Sequence, residues 1–513
     1  MTRESAGTAG PEPGRGFARV EASRRWQSIW MSAARMTAAV IAMAIPIVLV
    51  RVLDQTTFGH YKQLFLVANT ALALLTLGMP ASLYYFVPRS PKAAQRIHVQ
   101  SALLLGVVGV GAGVALAFSG PLLERYFHAP LRPYALWIGL FTALSIPGML
   151  IPVSPMVDRR ARLAATLTAS LDILRALLLV SVAVITRDLV AILVAACTIA
   201  FLRVASLVTY LGWRGRREPG ERREPGLLRK QLGYALPFAA AAFVGLIREK
   251  LHAYYVAASF SAAEFAVYAI ATLNIPLIGL FTRTVGEVVI LANAENYAAD
   301  RKEEMRRVWH RATYSLALVL LPIFVICEVF ASDLITVLFG PSYAGAAPIF
   351  RVYILIVPLS ILLASPMLRA TADLKVMFAA DSTALLITIL TLVLLVGTLG
   401  PLGAVTSLVA GKAAFMLFAS RRTAARLELG AREFLPWKGL FLVLALAAGA
   451  AFGGLALTSR LGPAARLLVG GGLAGAAYLS VALATGLVPE PERALLRRAL
   501  RGRRGHAGPR DDA

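Results

Sequence analysis

An all-α polytopic membrane protein is the fold class this sequence predicts, and three observations predict it. The chain is 58% hydrophobic and only 16% charged over 513 residues, too little charge for a soluble protein of that size. Apolar runs of about 18 residues or more, long enough to cross the hydrocarbon of a bilayer as a helix, recur along almost its whole length. The alternation of apolar and polar residues that marks the strands of a transmembrane β-barrel is not found.

About fourteen transmembrane helices follow in order. Residues 1–27 form a basic N-terminal segment without the apolar stretch and small-residue cleavage site of a removable signal peptide, and Trp26 and Trp30 read as interfacial anchors. Spans at 29–50, 64–87, 99–119, 134–154, 163–185 and 189–211 make an N-lobe over 28–212. A basic loop containing Pro and Gly, 213–231, leads to spans at 232–258, 265–292, 313–330, 349–368, 376–399 and 402–419, the C-lobe of 232–425. Two further spans, 437–459 and 467–487, lie within 436–487, and a basic tail occupies 488–513. Their small-residue strings "GAAFGG" and "GGGLAGAAY" suit close packing on the second lobe or, alternatively, a lipid-facing groove. Cys197 and Cys327 fall inside spans without metal-ligand or disulfide spacing and read as small apolar side chains.

The net charge of +24 would suit nucleic acid on a soluble domain, but here the charge follows the loops, so no nucleic-acid partner is expected. The loops after even-numbered spans collect most of the 52 Lys and Arg, which places both termini in the cytoplasm by the positive-inside bias. The same stretches suit anionic membrane lipids. The outer connections near 120–133 and 331–348 are short, leaving no room for an outer catalytic domain, and their acids Glu124 and Asp333 read as solvated.

The chain also repeats itself. An offset of about 207 residues lays "FGHY" at 58–61 on "FAVY" at 265–268, and one of about 211 lays "SPMVDRRARLAA" from Ser154 on "SPMLRATADLKV" from Ser365. Six spans per unit is an even number, so both units enter the membrane from the same side as a parallel repeat. Proteins built this way are commonly transporters that expose a site between their halves alternately to either side, with the 213–231 loop as hinge.

Ionisable side chains inside spans cost roughly 2.5–3.5 kcal/mol each and usually face a cavity or a partner. Those singled out are Arg35, Asp172, Arg175, Arg203, Arg248, Glu249, Lys250, His252, Arg283, Glu287 and Lys412. Asp172 with Arg175, and Arg283 with Glu287, have the spacing of intrahelical pairs; Arg203 and Lys412 lie near predicted ends and can snorkel. Span 7 is different, because Arg248 and His252 share one side, Glu249 is a quarter-turn away and Lys250 points roughly opposite Arg248. A helix so charged borders water or salt-bridges its neighbours. The excess is cationic, which suits phosphate or diphosphate. With Arg248 and Lys250 on opposite sides, one is expected to bind and the other to bridge to a carboxylate such as Glu287.

The stretches "LVRVLDQTTFGHY" at 49–61, "LGMPASLYYFVPR" at 77–89 and "YYVAASFSAAEFAVYA" at 254–269 resemble the polysaccharide-transport family of oligosaccharide flippases, in the multidrug/oligosaccharidyl-lipid/polysaccharide exporter superfamily. The resemblance covers about residues 28–487 and implies a V-shaped pair of pseudo-symmetric six-helix lobes plus two C-terminal helices. It implies, too, a bacterial plasma (inner) membrane protein that moves a lipid-diphosphate-linked glycan between leaflets for cell-surface polysaccharide biosynthesis, with polysaccharide polymerase and chain-length machinery as partners. The family's basic cavity residues on spans 1, 2, 7 and 8 correspond to Arg35, Arg248, Lys250 and Arg283; span 2, taken from residue 64, offers none.

No Gly-rich phosphate loop appears, so no nucleotide cofactor is expected, and coupling is expected from a proton or sodium gradient with Glu249, His252 and Glu287 as candidates. Two other readings stand beside the flippase: a small-molecule or multidrug antiporter of the same superfamily, and a membrane glycosyltransferase or polymerase acting on the same lipid carrier. The span count and cationic excess argue against the first and the short outer loops against the second, so the chain is not expected to be an enzyme.

Overall fold

The computed structural model describes residues 44–217, 226–273, 275–430, 433–490 and 493. Those residues are helical and turn, with no strand among them, and ten of their helices are long and apolar enough to cross a membrane. Of the expected spans, the first lies largely outside the described residues. The fourth is a 14-residue helix, Ala135–Gly148, followed by turns. Helices Leu227–Ser259 and Pro276–Ala298, of 33 and 23 residues, correspond to spans 7 and 8 and carry charge near the middle. At 1.5 Å per residue they are about 50 and 35 Å long, enough to span.

The chain divides into two compact units that do not follow its order. The first holds the described residues up to 48 with 74–118 and 134–237; the second holds 49–73, 119–133 and everything from 238. In the first, helices Ala94–Phe118 and Ala135–Gly148 approach so closely that a Cβ on Gly139 would lie 2.4 Å from the Gly113 carbonyl oxygen. Only glycine allows that contact. The far end of the basic loop is anchored in this unit: buried Gln231 donates through Nε2 to Ser82 Oγ and Ser101 Oγ, 2.8 Å each, and accepts from Gln100 Nε2 at 2.8 Å. The middle of that loop, 218–225, lies outside the described residues.

The second unit brings together the two motifs that align at an offset of about 207. Asp54 starts the Gln55–Leu75 helix by accepting from the backbone N–H of Thr56 and Thr57 and from Thr57 Oγ1 at 2.6–3.0 Å. Those bonds hold its carboxyl below the ordinary value, with the Thr57 hydroxyl the largest contribution. The matching start, Ser261 just before the Ala262–Ala271 helix and Glu264 in its first turn, is a capping box. The sequence repeat is thus a repeat of helix starts. The aligned segments also touch, because a Cβ on Gly59 would fall 1.9 Å from the Ala262 carbonyl oxygen, and Gln63 Nε2 donates to the Ala257 carbonyl at 3.1 Å.

The last two helices, Trp437–Leu457 and Pro463–Ala484, pack in this unit, as the small-residue reading expected. A Cβ on Gly454 would lie 2.4 Å from the Gly470 carbonyl oxygen, and Tyr314 and Tyr478 donate to the carbonyls of Leu487 and Leu318 at 2.7 and 2.9 Å. Asp333 is not solvated. It is buried and takes both hydrogen bonds of the Arg466 fork, at 2.6 and 2.8 Å, while Glu124 accepts from the Arg132 backbone N–H at 3.2 Å.

Candidate functional site

The charged cluster lies in the second unit, on the part of Leu227–Ser259 from residue 238 onward and on Leu374–Leu399 and Pro401–Arg426. Arg248 is largely buried, with Nε 3.3 Å from Asp381 Oδ1 and the guanidinium carbon 5.4 Å from the centre of the Phe415 ring. The Nε has no aligned hydrogen-bond acceptor, so this is an ion pair without the fork geometry of Asp333 and Arg466. Lys412 lies within Coulombic reach of Arg248, Glu249 and Asp381, and Arg369 within reach of Asp381. Among the described residues Lys412 has no ion pair within 4 Å.

The expected partner Glu287 is not used. The Pro276–Ala298 helix leaves both Arg283 and Glu287 exposed, and among the described residues neither pairs with the other within 4 Å. The carboxylate that meets Arg248 comes from Asp381, which sequence reading overlooked, although a single acid inside the apolar run "VMFAADSTALLITIL" carries the same membrane cost that singled out the others. Lys250 turns to its neighbour Glu249, 3.4 Å from Oε1, with Glu249 63% exposed. His252 is buried beneath them, its Nδ1 2.6 Å from the Tyr268 hydroxyl. Arg248 and Lys250 therefore diverge, as the helical period requires. Arg35 lies outside the described residues.

Three further expectations change. The second helix begins at Gln55 rather than near 64, which puts Lys62 inside it, its ammonium 5.3 Å from the Phe58 ring centre. Span 2 does carry a basic residue. Asp172 pairs across helices with Arg203 instead of along its own helix with Arg175. Neither Arg203 nor Lys412 is at a helix end, because Leu189–Arg217 and Pro401–Arg426 run several residues beyond the apolar windows.

The first unit holds a second polar centre at its "SPMVDRR" stretch. Asp158 accepts from Tyr210 at 2.6 Å and Arg214 Nε at 2.8 Å and lies 3.3 Å from His98 Nε2; Arg214 Nη1 reaches Gln95 Oε1 at 3.2 Å. Burial raises the carboxyl's pKa, but the hydrogen bonds and charges of His98, Tyr210 and Arg214 together outweigh it and hold it at about 2. Among the described residues no group of three or more His, Cys, Asp or Glu is placed to hold a metal ion.

A family model described as polysaccharide biosynthesis protein matches residues 48–348. No curated protein matches the chain. The fold is similar to that of the lipid II flippase MurJ in an inward closed conformation, at 12% identity over 89% of this chain and 99% of that one, with a TM-score of 0.72. It is similar also to an inward-facing multidrug resistance MATE family transporter of the MOP superfamily, at 13% identity, 76% and 94% coverage and a TM-score of 0.61. A MOP superfamily transporter from Pyrococcus furiosus with a binding pocket of reverse polarity matches at 13% identity, 78% and 94% coverage and a TM-score of 0.55.

Proposed function

Since the chain belongs to the polysaccharide biosynthesis protein family, we propose that this multi-pass membrane protein is a flippase. It translocates an undecaprenyl-diphosphate-linked oligosaccharide across the bacterial plasma membrane by alternating access, for cell-surface polysaccharide. The observation that carries this reading is the cationic cluster of Arg248, Lys250 and Lys412 inside one membrane-embedded unit. A lipid-linked diphosphate offers that cluster oxygens for the guanidinium fork and charge for the ammonium groups. Arg35 and Arg283 complete the proposed set, and Lys62 joins it from the second helix. Basic loops facing the cytoplasm, with both termini on that side, suit loading from the inner leaflet. Polysaccharide polymerase and chain-length machinery are the proposed partners downstream.

A proton or sodium gradient is the proposed energy source. Glu249, exposed, and His252, buried against Tyr268, are the groups most suited to follow it, with Glu287 beside them. The MATE-like fold supports a drug antiporter as second reading, but a cationic cluster repels the cations such a transporter would carry.

Reconstitution with fluorescent polyprenyl-diphosphate sugars tests the proposal. Leaflet exchange should fall roughly 10-fold or more in Arg248→Ala/Lys250→Ala, since a hydrogen bond to a charged group contributes about 1.5–3 kcal/mol. Undiminished exchange in the double variant would sink the cationic-site mechanism, and drug extrusion without lipid movement would favour the antiporter.

A further inference from the structure

Asp381 is the acid that meets Arg248, and its pairing is loose. We propose that Asp381 is the resident counter-anion of a diphosphate subsite formed by Arg248 and Lys412, and that the substrate's diphosphate displaces it. The inference rests on the flippase reading and adds to it the competing anion that the substrate must displace.

The comparison within the unit that supports it is Asp333 with Arg466. There a carboxylate takes two short hydrogen bonds from the guanidinium fork, the arrangement of a pair built to stay closed. Arg248 instead meets Asp381 through one unaligned Nε at 3.3 Å, while Phe415 flanks the guanidinium. Lys412 lies within Coulombic reach of this pair without a carboxylate of its own within 4 Å among the described residues, although it is only partly exposed. A cation so placed raises the cost of the empty site and lowers it when an anion arrives.

Charge selects the ligand. Arg248, Lys250, Arg369 and Lys412 are four cations around two carboxylates, Glu249 and Asp381, an excess of two positive charges. A diphosphate esterified at both ends, as in a lipid-linked sugar, carries two negative charges, which match that excess. In the empty protein Asp381 relieves the repulsion between Arg248 and Lys412. With diphosphate on the guanidinium fork, the same carboxylate becomes a like charge that limits affinity and permits release on the far side.

Binding of inorganic pyrophosphate and of farnesyl diphosphate to the full-length detergent-solubilised protein, measured by calorimetry, tests this. Removing the competing charge in Asp381→Asn should tighten both about tenfold and slow leaflet exchange; a misfolded variant could not bind more tightly. Lys412→Met should weaken both about tenfold, and it keeps the proposal falsifiable should Asp381→Asn fail to fold. Stronger binding of farnesyl diphosphate than of pyrophosphate identifies a lipid-linked ligand, and the reverse order would overturn it in favour of a free phosphate anion. Unchanged or weaker binding in Asp381→Asn, or unchanged binding in Lys412→Met, would overturn the inference while leaving the flippase reading intact. A wild-type protein that binds neither diphosphate would remove both.

Discussion

At Asp158 and again at Asp373 the chain turns into a long apolar helix beneath an arginine from the end of the next helix, Arg214 in one case and Arg426 in the other. The two corners lie in the stretches aligned at the offset of about 211, yet they are built differently: Asp158 itself falls on Arg369, and Asp373 on Arg162. Asp158 and Arg214 are only 7% and 4% exposed and share their carboxylate with Tyr210 and His98. Asp373 is nearly as buried at 10%, but Arg426 is 43% exposed and borders a cavity of about 40 Å³, with Thr371, Thr423 and Lys302 on its walls. Asp373 also accepts from the backbone N–H of Val376 at 3.1 Å, making it a helix cap. Duplication preserved the topology of the corner. What surrounds the pair decides whether it is a structural centre or a cap with a solvated partner.

The largest expected effect follows from that difference. Asp158→Asn removes the buried carboxylate charge that Arg214, Tyr210 and His98 share, a loss of about 3–5 kcal/mol by the usual cost of breaking a buried pair, read as a clear drop in the unfolding midpoint in detergent. A drop no larger than that of the second corner would erase the distinction.

The pH dependence sharpens it further. The Asp158 carboxyl is held at about 2 against an ordinary 3.8, so the folded state binds this proton less readily than the unfolded chain. Its stabilisation, about 2 kcal/mol from the shift, is complete above pH ~4 and is lost as pH falls through the folded value near 2. Wild-type stability should decline over that window, and Asp158→Asn should flatten the decline. An unaltered slope would mean that the carboxylate is not the group responsible.

The smallest effect belongs to the open corner. Asp373→Ala should cost about 1 kcal/mol, chiefly the lost cap, and Asp373→Asn under about 0.5 kcal/mol, because asparagine also caps and a pair with a solvated arginine contributes little. A loss for Asp373→Asn as large as for Asp158→Asn would show that exposure of Arg426 does not matter.

Much of the fold was legible from residues alone. Length and apolarity of the runs announce membrane helices because the bilayer accepts few alternatives. The motif pairs at 58–61 and 265–268 mark real, capped helix starts. The candidate site is legible in part: a charged helix is visible at Arg248, but the carboxylate expected from the sequence, Glu287, is on the wrong helix. Lys62 was lost for a simpler reason, since hydropathy locates the apolar window and not the helix, which started at Asp54 well before it.

The sequence by itself determined the class of the protein, its helical content, its cationic character and the diverging directions of Arg248 and Lys250, since all of these follow from composition and from the 3.6-residue period. Only the tertiary structure decided which charges meet. Asp381 with Arg248, Asp172 with Arg203, Asp158 with Arg214 and Asp333 with Arg466 are all contacts between segments far apart in the chain. Periodicity gives the face a side chain presents but not the helix that arrives against it, and in a membrane, where hydrophobicity does not distinguish one helix face from another, that choice rests on packing and on the few polar groups themselves.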